Sequence, residues 1–582
     1  MLKHLGPRAL AYITNLFNHV INTAIIPPMW KTGRIVPLLK PHKPADVGKS
    51  YRPVSLLSPL AKALESLLLP KILASITFAD HQHGFRKKRS TTTALQDIIE
   101  YIKHGLNKNK PVDRTVLVAV DLTCAFDTVS HEILLKDISN LPLNPFIKRF
   151  LAGYLRGRKT FVEFRNTRSK CRQMRQGVPQ GGVLSPILFN LYMSHIPPPP
   201  PGIKITSYAD DCSIASSGPK ILPICKKING YLDTLNKFFL DRNLVISPAK
   251  STATVFTTCT QDMGLSLPIK IGNTAVPTVR NPKILGTYLD PLLNFNAHST
   301  YVRDRVAKRN NILKALAGTT WGMDKEVILS TYKAIGRSIY SYCAPIWTPS
   351  LCNTRWTELQ VPQSAALRTA LGCTKMTDLG HLHSECKFLT VEQHNKMLAK
   401  QFYLSTKQTG HANFSIPYQP PSRIMKQSLA TLYEDEIQGL YTQNGNNAAQ
   451  HKIGLRAIHT EAVAASIATA PPNKVLQLPA PEISQSESNL PRSARSTLSQ
   501  LRSGYSSSLM QYLNRIKPNI YDPHCPRCGI APHDTPHLFN CPANPTSLNT
   551  LDLWSNPEAV ADFLDLVPRA DEGGDGRQDN PG

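Results

Sequence analysis

A run of five apolar residues, 116–120 (VLVAV), leads directly into an acidic residue, Asp121. A run so short and so uniformly apolar predicts a β-strand that is buried on both faces. A second pair of acids, Asp210 and Asp211, lies between two further strand-like segments, 203–208 and 212–215. This arrangement predicts a hairpin with acids at its tip. A fold for this chain therefore has to place carboxylates at the ends of apolar strands.

Such carboxylates are costly to bury, and two that approach each other repel and raise each other's pKa. A divalent cation relieves both problems, because Mg²⁺ prefers hard oxygen ligands and commonly binds one or two carboxylates together with substrate phosphates. Two such ions about 3.5–4 Å apart can activate an attacking hydroxyl and stabilise the leaving oxygen of a displacement at phosphorus. Asp121, Asp210 and Asp211 are therefore candidate catalytic metal ligands for nucleotidyl transfer. An isolated Asp-Asp pair is more commonly a turn, so this hypothesis needs support from other motifs.

The chain carries a formal net charge of +27 and has a pI near 9.6. This excess favours a polyanionic partner, with nucleic acid as the first candidate and a membrane surface or a ribosome as alternatives. Part of the charge is clustered between Arg156 and Arg175, where eight basic residues accompany a single acid, Glu163. A solvated basic face is the simpler interpretation of such a run taken alone.

Nine of the twelve cysteines are scattered, whereas Cys525, Cys528 and Cys541 are close together in the sequence. In a long chain this pattern indicates a reducing compartment and one metal site, and it is not typical of a disulfide framework. The spacing Cys525-x2-Cys528-x8-His537-x3-Cys541 has the ligand types of a Zn²⁺ site, with His533 as a competing ligand. A redox-active or accidental CxxC is the alternative. Four protein ligands would close the coordination sphere, so we expect a structural zinc.

The size of the chain and its apolar segments limit the class of protein. A length of 582 residues suggests roughly three or four domains of about 150 residues each. No apolar run of about 18 residues could span a bilayer, and the first residues lack the apolar segment of a secretory signal. We therefore expect a soluble, intracellular protein.

Six sequence blocks occur in an order that identifies a family. The blocks are 51–58 (YRPVSLLS), 83–86 (HGFR), 120–127 (VDLTCAFD), 175–189 (RQGVPQGGVLSPILF), 208–211 (YADD) and 284–290 (ILGTYLD). Together they resemble the reverse transcriptases of non-LTR retrotransposons, most closely the jockey-like group. The resemblance implies an α/β right-hand polymerase (fingers, palm and thumb) with a C-terminal Cys/His zinc knuckle. It also implies that the enzyme extends a DNA 3′-OH on an RNA template with dNTPs and releases pyrophosphate.

The resemblance further implies the cofactors and partners. Asp121 and Asp210 would bind both of two Mg²⁺ ions, with Mn²⁺ as an alternative metal, and Asp211 would assist. The partners would be an RNA template, a DNA primer and dNTPs, together with the RNA of the element itself in a ribonucleoprotein. We expect this particle in the cytoplasm, the nucleus or both, and we expect no membrane partner.

The same resemblance places further residues at the nucleotide. Arg52, and with it Arg86, would hold the triphosphate, for which the planar guanidinium fork is suited. Phe126 would be a steric gate that excludes the ribose 2′-OH, the group that distinguishes RNA from DNA precursors. A surface arginine before a proline and a core-packing phenylalanine are the simpler interpretations.

Two more motifs complete the predicted site. Gln180 and Gly181 would lie beneath the incoming nucleotide and the template base, since glycines let the backbone approach a ligand closely. Lys250 would act as a general acid towards the pyrophosphate leaving group. The simpler interpretations are a turn beside Pro179 and a surface lysine.

We expect four regions along the chain. Residues 1–295 would form fingers and palm, 296–400 a basic helical thumb, 401–510 a weakly structured linking region, and 511–582 the zinc knuckle and a tail. By resemblance the knuckle would help to grip template RNA. From residue 569 onwards the chain is rich in Gly and Asp, which predicts disorder.

Two other functions remain open. Full-length relatives carry an N-terminal endonuclease that this sequence does not show, so the chain is expected to be a fragment or a truncated copy, and a non-catalytic RNA-binding remnant is one alternative. Another polymerase, such as an intron maturase or an RNA-copying RNA polymerase, is the second. The YADD core and Phe126 disfavour the RNA polymerase, and the jockey-like thumb and knuckle disfavour the maturase.

Overall fold

The computed structural model describes residues 4–41, 43–408, 425–440 and 448–567, which form two compact units. The first unit comprises the described residues up to Leu293 together with 425–428, and the second comprises the remainder from Asn294 onwards. The division after Leu293 falls two residues before the predicted boundary at 295. Among the described residues, none of the helices combines the length and the apolar character that a bilayer span requires.

The first unit contains nine helices and thirteen strands within the described part of the chain. The helices are α1 (Pro7–Thr23), α2 (Pro28–Lys31), α3 (Pro59–Leu73), α4 (Thr91–Leu106), α5 (Ala125–Thr128), α6 (His131–Ser139), α7 (Pro145–Leu155), α8 (Ser185–Met193) and α9 (Ile221–Asp241). The strands are β1 (Thr32–Leu39), β2 (Tyr51–Leu56), β3 (Arg114–Val120), β4 (Lys159–Phe164), β5 (Thr167–Arg168), β6 (Arg172–Gln173), β7 (Ile203–Tyr208), β8 (Asp211–Gly218), β9 (Thr252–Phe256), β10 (Lys270–Ile271), β11 (Thr274–Ala275), β12 (Lys283–Ile284) and β13 (Thr287–Tyr288).

The central sheet of this unit has the order β7-β8-β3-β9, and all of its pairs are antiparallel. Strand β3 therefore lies between two neighbours, and its side chains at Val116 and Val118 are fully buried, as the apolar run predicts. Helices α4 and α9 pack against this sheet. Because β3 and β8 are antiparallel, the last residue of β3, Val120, pairs with Cys212 near the start of β8. This register brings the end of β3 beside the β7–β8 hairpin tip.

A second sheet has the order β2-β1-β4-β5, in which β5 pairs with the C-terminal end of β4. Strand β6 pairs with the N-terminal end of β4. Strand β1 pairs with β2 antiparallel and with β4 parallel. The basic segment predicted between residues 156 and 175 thus forms β4, β5 and β6. Most of its cations are exposed, but Arg158 is buried and lies over the ring of Tyr154 at 4.6 Å. The single acid of this segment, Glu163, pairs with Arg34 at 3.0 Å.

The second unit is helical in its described residues. Its helices are α10 (Asn296–Leu316), α11 (Lys325–Tyr332), α12 (Ser338–Ser341), α13 (Ala344–Trp347), α14 (Asn353–Leu371), α15 (Leu379–Cys386), α16 (Val391–Gln408), α17 (Leu429–Ile437), α18 (Ala448–Ala468), α19 (Arg492–Ser503), α20 (Met510–Ile516), α21 (Thr535–Asn540), α22 (Asp552–Ser555) and α23 (Pro557–Phe563).

The prediction of a weakly structured region over 401–510 is wrong for the described residues, because α17, α18 and α19 lie within it. In α19 the buried residues Ala494, Leu498 and Leu501 recur at helical spacing. Their pattern is hard to see in the sequence because Ser and Arg surround them. The tail predicted from residue 569 lies outside the described residues.

A buried ionic cluster holds part of the second unit together. The side chain of Arg502 is fully buried and forms ion pairs with Glu385 at 2.9 Å and with Glu487 at 2.8 Å. It also donates a hydrogen bond to the carbonyl of Leu553 at 2.8 Å, and His381 lies 3.0 Å from Glu385. Although burial opposes it, the charges of Arg502 and His381 hold the pKa of Glu385 well below its ordinary value.

Replacing Arg502 with methionine should destabilise the second unit by about 3–5 kcal/mol, because two buried carboxylates would lose their cation. The measurement is the urea midpoint of the whole chain, followed by tryptophan fluorescence. Lys387→Met is the control, since it removes an ion pair with Glu482 in which both side chains are largely exposed. Equal midpoints for the two variants would contradict the importance of the cluster.

Candidate active site

The three predicted catalytic acids lie together at one edge of the central sheet. Asp121 follows the last residue of β3, and Asp211 opens β8 directly opposite Tyr208, with Asp210 in the turn between them. The turn is tight because Ala209 adopts a positive φ of 57°. Burial raises the pKa values of Asp210 and Asp211, and the charge of Asp121 adds to the shift at both. The structure therefore brings together the acids that are 89 and 90 residues apart in the sequence, from 121 to 210 and 211.

The surroundings of these acids favour a bound cation. Burial first, and then the charge of Asp121, raises the pKa of Asp210, which the charge of Arg52 lowers in part. Asp211 is exposed at its edge, yet partial desolvation followed by the charges of Asp210 and Asp121 raises its pKa to about 6. Oδ2 of Asp121 is buried and accepts no hydrogen bond within the described residues, although the cation of Lys250 lies 3.4 Å from it. Hard oxygen donors that repel one another fit a divalent cation such as Mg²⁺.

A short turn between α9 and β9 places a lysine beside these acids. The carbonyl of Ser247 accepts the N–H of Ser251 at 2.9 Å and its hydroxyl at 2.8 Å, and it also accepts the N–H of Lys250 at 3.2 Å. The turn is joined to the acid, since the N–H of Asp121 donates to Ser251 Oγ at 3.1 Å. Lys250 Nζ consequently lies 3.4 Å from Asp121 Oδ2. Lys250 is thus in the site, as the sequence predicts.

The loop before α8, predicted to lie beneath the nucleotide, is attached to β2. The carbonyl of Gln180 accepts the N–H of Ser55 at 2.7 Å, and its side-chain amide donates to Asp127 Oδ1 at 3.0 Å. Gly181 has a φ of 136°, and a Cβ at this position would lie 2.3 Å from the carbonyl oxygen of Ser55. Glycine is therefore required at 181 both by its dihedral angle and by the close approach of β2.

Phe126, the predicted gate, is half-buried and held between two other rings. It stacks on Phe189 of α8 with centroids 4.2 Å apart, and its edge contact with Phe85 has a centroid distance of 6.5 Å. Its carbonyl accepts the N–H of Val178 at 2.8 Å, which links it to the loop before α8. The orientation of the ring is thus set by neighbours from two other parts of the chain.

Residues 81–84 are bound to the strand that precedes the acids. The N–H of His83 donates to the carbonyl of Ser207 at 2.8 Å, and the N–H of Ser207 donates to the carbonyl of His81 at 2.8 Å. A Cβ on Gly84 would lie 2.5 Å from the backbone nitrogen of Ala209, inside the hairpin turn. The sequence analysis missed this role of Gly84, although the glycine stands within the recognised 83–86 block.

The two predicted phosphate-binding arginines have different environments. Arg52 is exposed on β2, close enough to the acids to lower the pKa of Asp210. Arg86 is half-buried, donates hydrogen bonds to the carbonyls of Ala79 and Gln82 at 2.7 Å each, and lies over the ring of Phe78. Arg86 thus braces its own loop, a use that its position in the motif did not indicate.

The predicted zinc ligands form a compact cluster in the second unit. The ligand atoms of Cys525, Cys528, His537 and Cys541 all lie within 4.8 Å of one another. Backbone N–H groups after Cys528, first that of Ile530, lower the pKa of its thiol, which favours the thiolate that zinc binds. The competing candidate, His533, instead accepts the N–H of Met510 at Nδ1, 3.1 Å away. The donor set therefore fits a metal ion, and the four residues that the spacing singled out lie together.

Comparison with known proteins defines the class of this site. Residues 40–289 match the family model described as reverse transcriptase (RNA-dependent DNA polymerase), and they include all the catalytic and nucleotide-binding candidates. These residues belong to the reverse transcriptase family, and the predicted class, an α/β right-hand polymerase, is confirmed. Within that family the chain is similar to the polymerases of jockey-like non-LTR retrotransposons, as its motifs predicted.

Three relatives carry this similarity. The probable RNA-directed DNA polymerase from transposon BS of Drosophila melanogaster is 30% identical over 410 residues, which are 67% of this chain and 44% of the relative. The corresponding protein of the X-element is 29% identical over 67% of this chain and 43% of its own length. The polymerase of mobile element jockey from Drosophila funebris is 28% identical over 69% of this chain and 44% of its own. The chain thus spans less than half the length of these relatives.

Among solved structures, apo telomerase from Candida Tropicalis aligns with 78% of this chain and 74% of its own. The identity is 12% and the TM-score is 0.35. A similarity at this level adds nothing to the assignment of the site.

Replacing Gly181 with alanine should reduce primer extension about 100-fold. The new Cβ would displace the loop that contains Gln180 and Gly181 (the nucleotide loop) from β2 by a fraction of an ångström or more. Rates are measured with Mg²⁺ on a poly(rA)/oligo(dT) template. Gly230→Ala in α9 is the control, since a Cβ there meets open space and should stabilise the helix by about 0.5–1 kcal/mol. Similar rates for both variants would show that the approach of Gly181 to Ser55 is not needed.

Proposed function

We propose that this chain is the RNA-directed DNA polymerase of a non-LTR retrotransposon, which extends a DNA 3′-OH on an RNA template with dNTPs. The observation that carries the proposal is the meeting of Asp121 with the Asp210–Asp211 hairpin at one edge of the sheet, inside a region of the reverse transcriptase family. Three carboxylates crowded in this way suit nucleotidyl transfer with two divalent ions.

In this mechanism Asp121 and Asp210 are the ligands of two Mg²⁺ ions, with Mn²⁺ as an alternative, and Asp211 assists. The ions would supply activation of the primer hydroxyl and neutralisation of charge at phosphorus. Lys250 donates a proton to the pyrophosphate as it leaves, and its ion pair with Asp121 holds it in the site until then. Asp121 thus has two roles, one towards metal and one towards the lysine.

The remaining residues select and orient the nucleotide. Arg52 binds the triphosphate through its guanidinium group, and its exposure on β2 leaves that group accessible. Gln180 and Gly181 support the incoming base from below. Phe126 excludes a ribose 2′-OH, and its clamping by two rings gives the steric barrier a defined position. Arg86 acts on this site indirectly, through the loop that it braces.

Template and partner binding are assigned by charge and resemblance. The exposed cations of β4, β5 and β6 contact template phosphates, and this interaction does not depend on the nucleotide sequence. Residues 1–295 serve as fingers and palm and 296–400 as the thumb that holds the primer–template duplex. The zinc knuckle helps to grip template RNA, and the element RNA forms a ribonucleoprotein with the protein, in the cytoplasm, the nucleus or both.

Asp210→Asn should lower primer extension on poly(rA)/oligo(dT) by on the order of 10³-fold. The substitution removes the charge of one proposed metal ligand, and the transition state loses several kcal/mol of stabilisation as a result. Asp233→Asn is the control, because Asp233 is an exposed residue of α9. Asp211→Asn should fall between the two.

The same assay separates the alternatives. A wild type that binds RNA but extends no primer would be the non-catalytic remnant, and equal extension by the wild type and Asp210→Asn would refute the two-metal mechanism. Preference for UTP over dTTP would point to an RNA polymerase.

We also propose that the Cys/His cluster holds one structural Zn²⁺. Cys528→Ser should abolish the zinc content of the purified chain, as measured by mass spectrometry, and should lower its thermal midpoint. The loss of stability is expected because the cluster is joined to the core of the second unit: Phe539 of α21 is buried there, and Thr535 donates to the carbonyl of Leu501 at 3.0 Å. Cys171→Ser, at an exposed cysteine of the first unit, is the control. Unchanged zinc in Cys528→Ser would disprove the site.

A further inference from the structure

Glu65, on α3, is a buried acid that the proposed mechanism does not use. Its side chain is almost completely shielded from solvent, with 1% of the residue exposed. Oε2 accepts the N–H groups of Val183 at 2.7 Å and Leu184 at 3.0 Å, and the hydroxyl of Tyr154 donates to it at 3.4 Å. Oε1 is buried and has no hydrogen-bond partner among the described residues. Burying a carboxylate costs free energy, and the hydrogen bonds of Glu65 offset that cost.

The contacts of Glu65 cap a helix from a distance. The first N–H groups of a helix have no partner within it, and α8 begins at Ser185 with Leu184 as its N-cap, a residue whose side chain cannot accept a hydrogen bond. Glu65 instead accepts the N–H groups of the N-cap residue Leu184 and of Val183 before it, from a segment that is 118 residues away from Val183 in the chain. A negative charge at this helix end is also favoured by the helix dipole.

The capped segment is the one that carries the nucleotide loop. At one end of residues 180–184, Gln180 and Gly181 are attached to Ser55 of β2, and at the other end Glu65 holds the two N–H groups. Between them, a Cβ on Gly182 would lie 2.6 Å from the hydroxyl of Tyr154. The loop is therefore held at both ends and packed tightly in the middle.

Helix α8 in turn supports two other parts of the site. Phe189 stacks on Phe126, the proposed gate. Asn190 donates to the carbonyl of Gly84 at 2.6 Å, in the loop that contacts the hairpin turn of the acids. A shift of the start of α8 would thus reach both the nucleotide loop and the gate.

On the basis of the function proposed above, we propose that Glu65 is a positioning residue for the incoming nucleotide, which sets dNTP affinity and sugar discrimination by fixing the Gln180–Gly181 loop and α8. It touches neither substrate nor metal. Its loss should therefore alter how well dNTP is bound and how well UTP is excluded, and it should leave the affinity for primer–template unchanged.

The test compares Glu65→Leu, Glu65→Gln and Glu65→Asp in primer extension on poly(rA)/oligo(dT). Glu65→Leu should raise the KM for dTTP roughly tenfold with little change in kcat per active site, because hydrogen bonds to a charged acceptor are lost. Glu65→Gln, which retains one acceptor oxygen, should restore most of the affinity. The preference for dTTP over UTP should fall in parallel with the rise in KM. The concentration of active sites is measured from the amplitude of the burst in the first turnover.

Leu68→Ala is the matched control, since Leu68 is buried one turn further along α3 and its side chain has no polar group that could accept the N–H groups of the loop. It should lower stability and the fraction of active enzyme while leaving the KM for dTTP unchanged. If Glu65→Leu gives no folded protein, Glu65→Asp carries the test, because it keeps the charge but is one methylene too short to reach both N–H groups.

An unchanged KM for dTTP in folded Glu65→Leu and Glu65→Asp, or a loss confined to the fraction of active enzyme as in Leu68→Ala, would overturn the positioning role. A wild type that extends no primer would instead overturn the proposed polymerase function, so the two failures are distinguishable.

Discussion

The antiparallel pairing of β3 with β8 is the constraint on which the candidate site depends. Val120 pairs with Cys212, so the end of one strand and the start of the other meet, each with an acid attached. A slip of one residue in this pairing would turn Val116 and Val118 away from the apolar cluster in which they pack and would shift Asp121 relative to the hairpin. The apolar packing of the sheet therefore also sets the separation of the proposed metal ligands.

Around this sheet, the loops of the site are attached mainly through their backbones. Ser207 bonds to the loop that contains His83, Ser55 bonds to Gln180, and Ser247 bonds to Asp121. Backbone contacts of this kind demand close approach, and Gly84 and Gly181 stand where any Cβ would collide with the facing main chain. The precision of the site thus comes from main-chain geometry, with side chains such as Glu65 adding support from further away.

Sequence patterns predicted the parts of this structure that depend on local periodicity. The hairpin expected from segments 203–208 and 212–215 is formed by β7 and β8, and the apolar run 116–120 lies within β3. The Cys/His cluster could be predicted because the ligands of a structural metal site commonly stand at short spacings in the sequence. What the sequence did not reveal depends on contacts that no motif records: Glu65 and Val183 are 118 residues apart, and the partners of Arg86 are backbone carbonyls four and seven residues away. Helix α19 was missed because its buried apolar residues are dispersed among Ser and Arg.

Carboxylates have different electrostatic surroundings in the two units, and this difference bears on what the candidate site binds. In the second unit, Glu385 is neutralised by Arg502 and His381, and its pKa is lowered despite burial. In the first unit, burial and the neighbouring carboxylates raise the pKa values of Asp210 and Asp211, and the charge of Arg52 offsets this only in part at Asp210. Glu65 shows that burial alone also raises a carboxyl pKa in this unit, but there the backbone N–H groups oppose the shift and no second carboxylate contributes. All three are raised first by burial, but like charges add to the shift only at Asp210 and Asp211, and such crowding favours a cation brought in from solution.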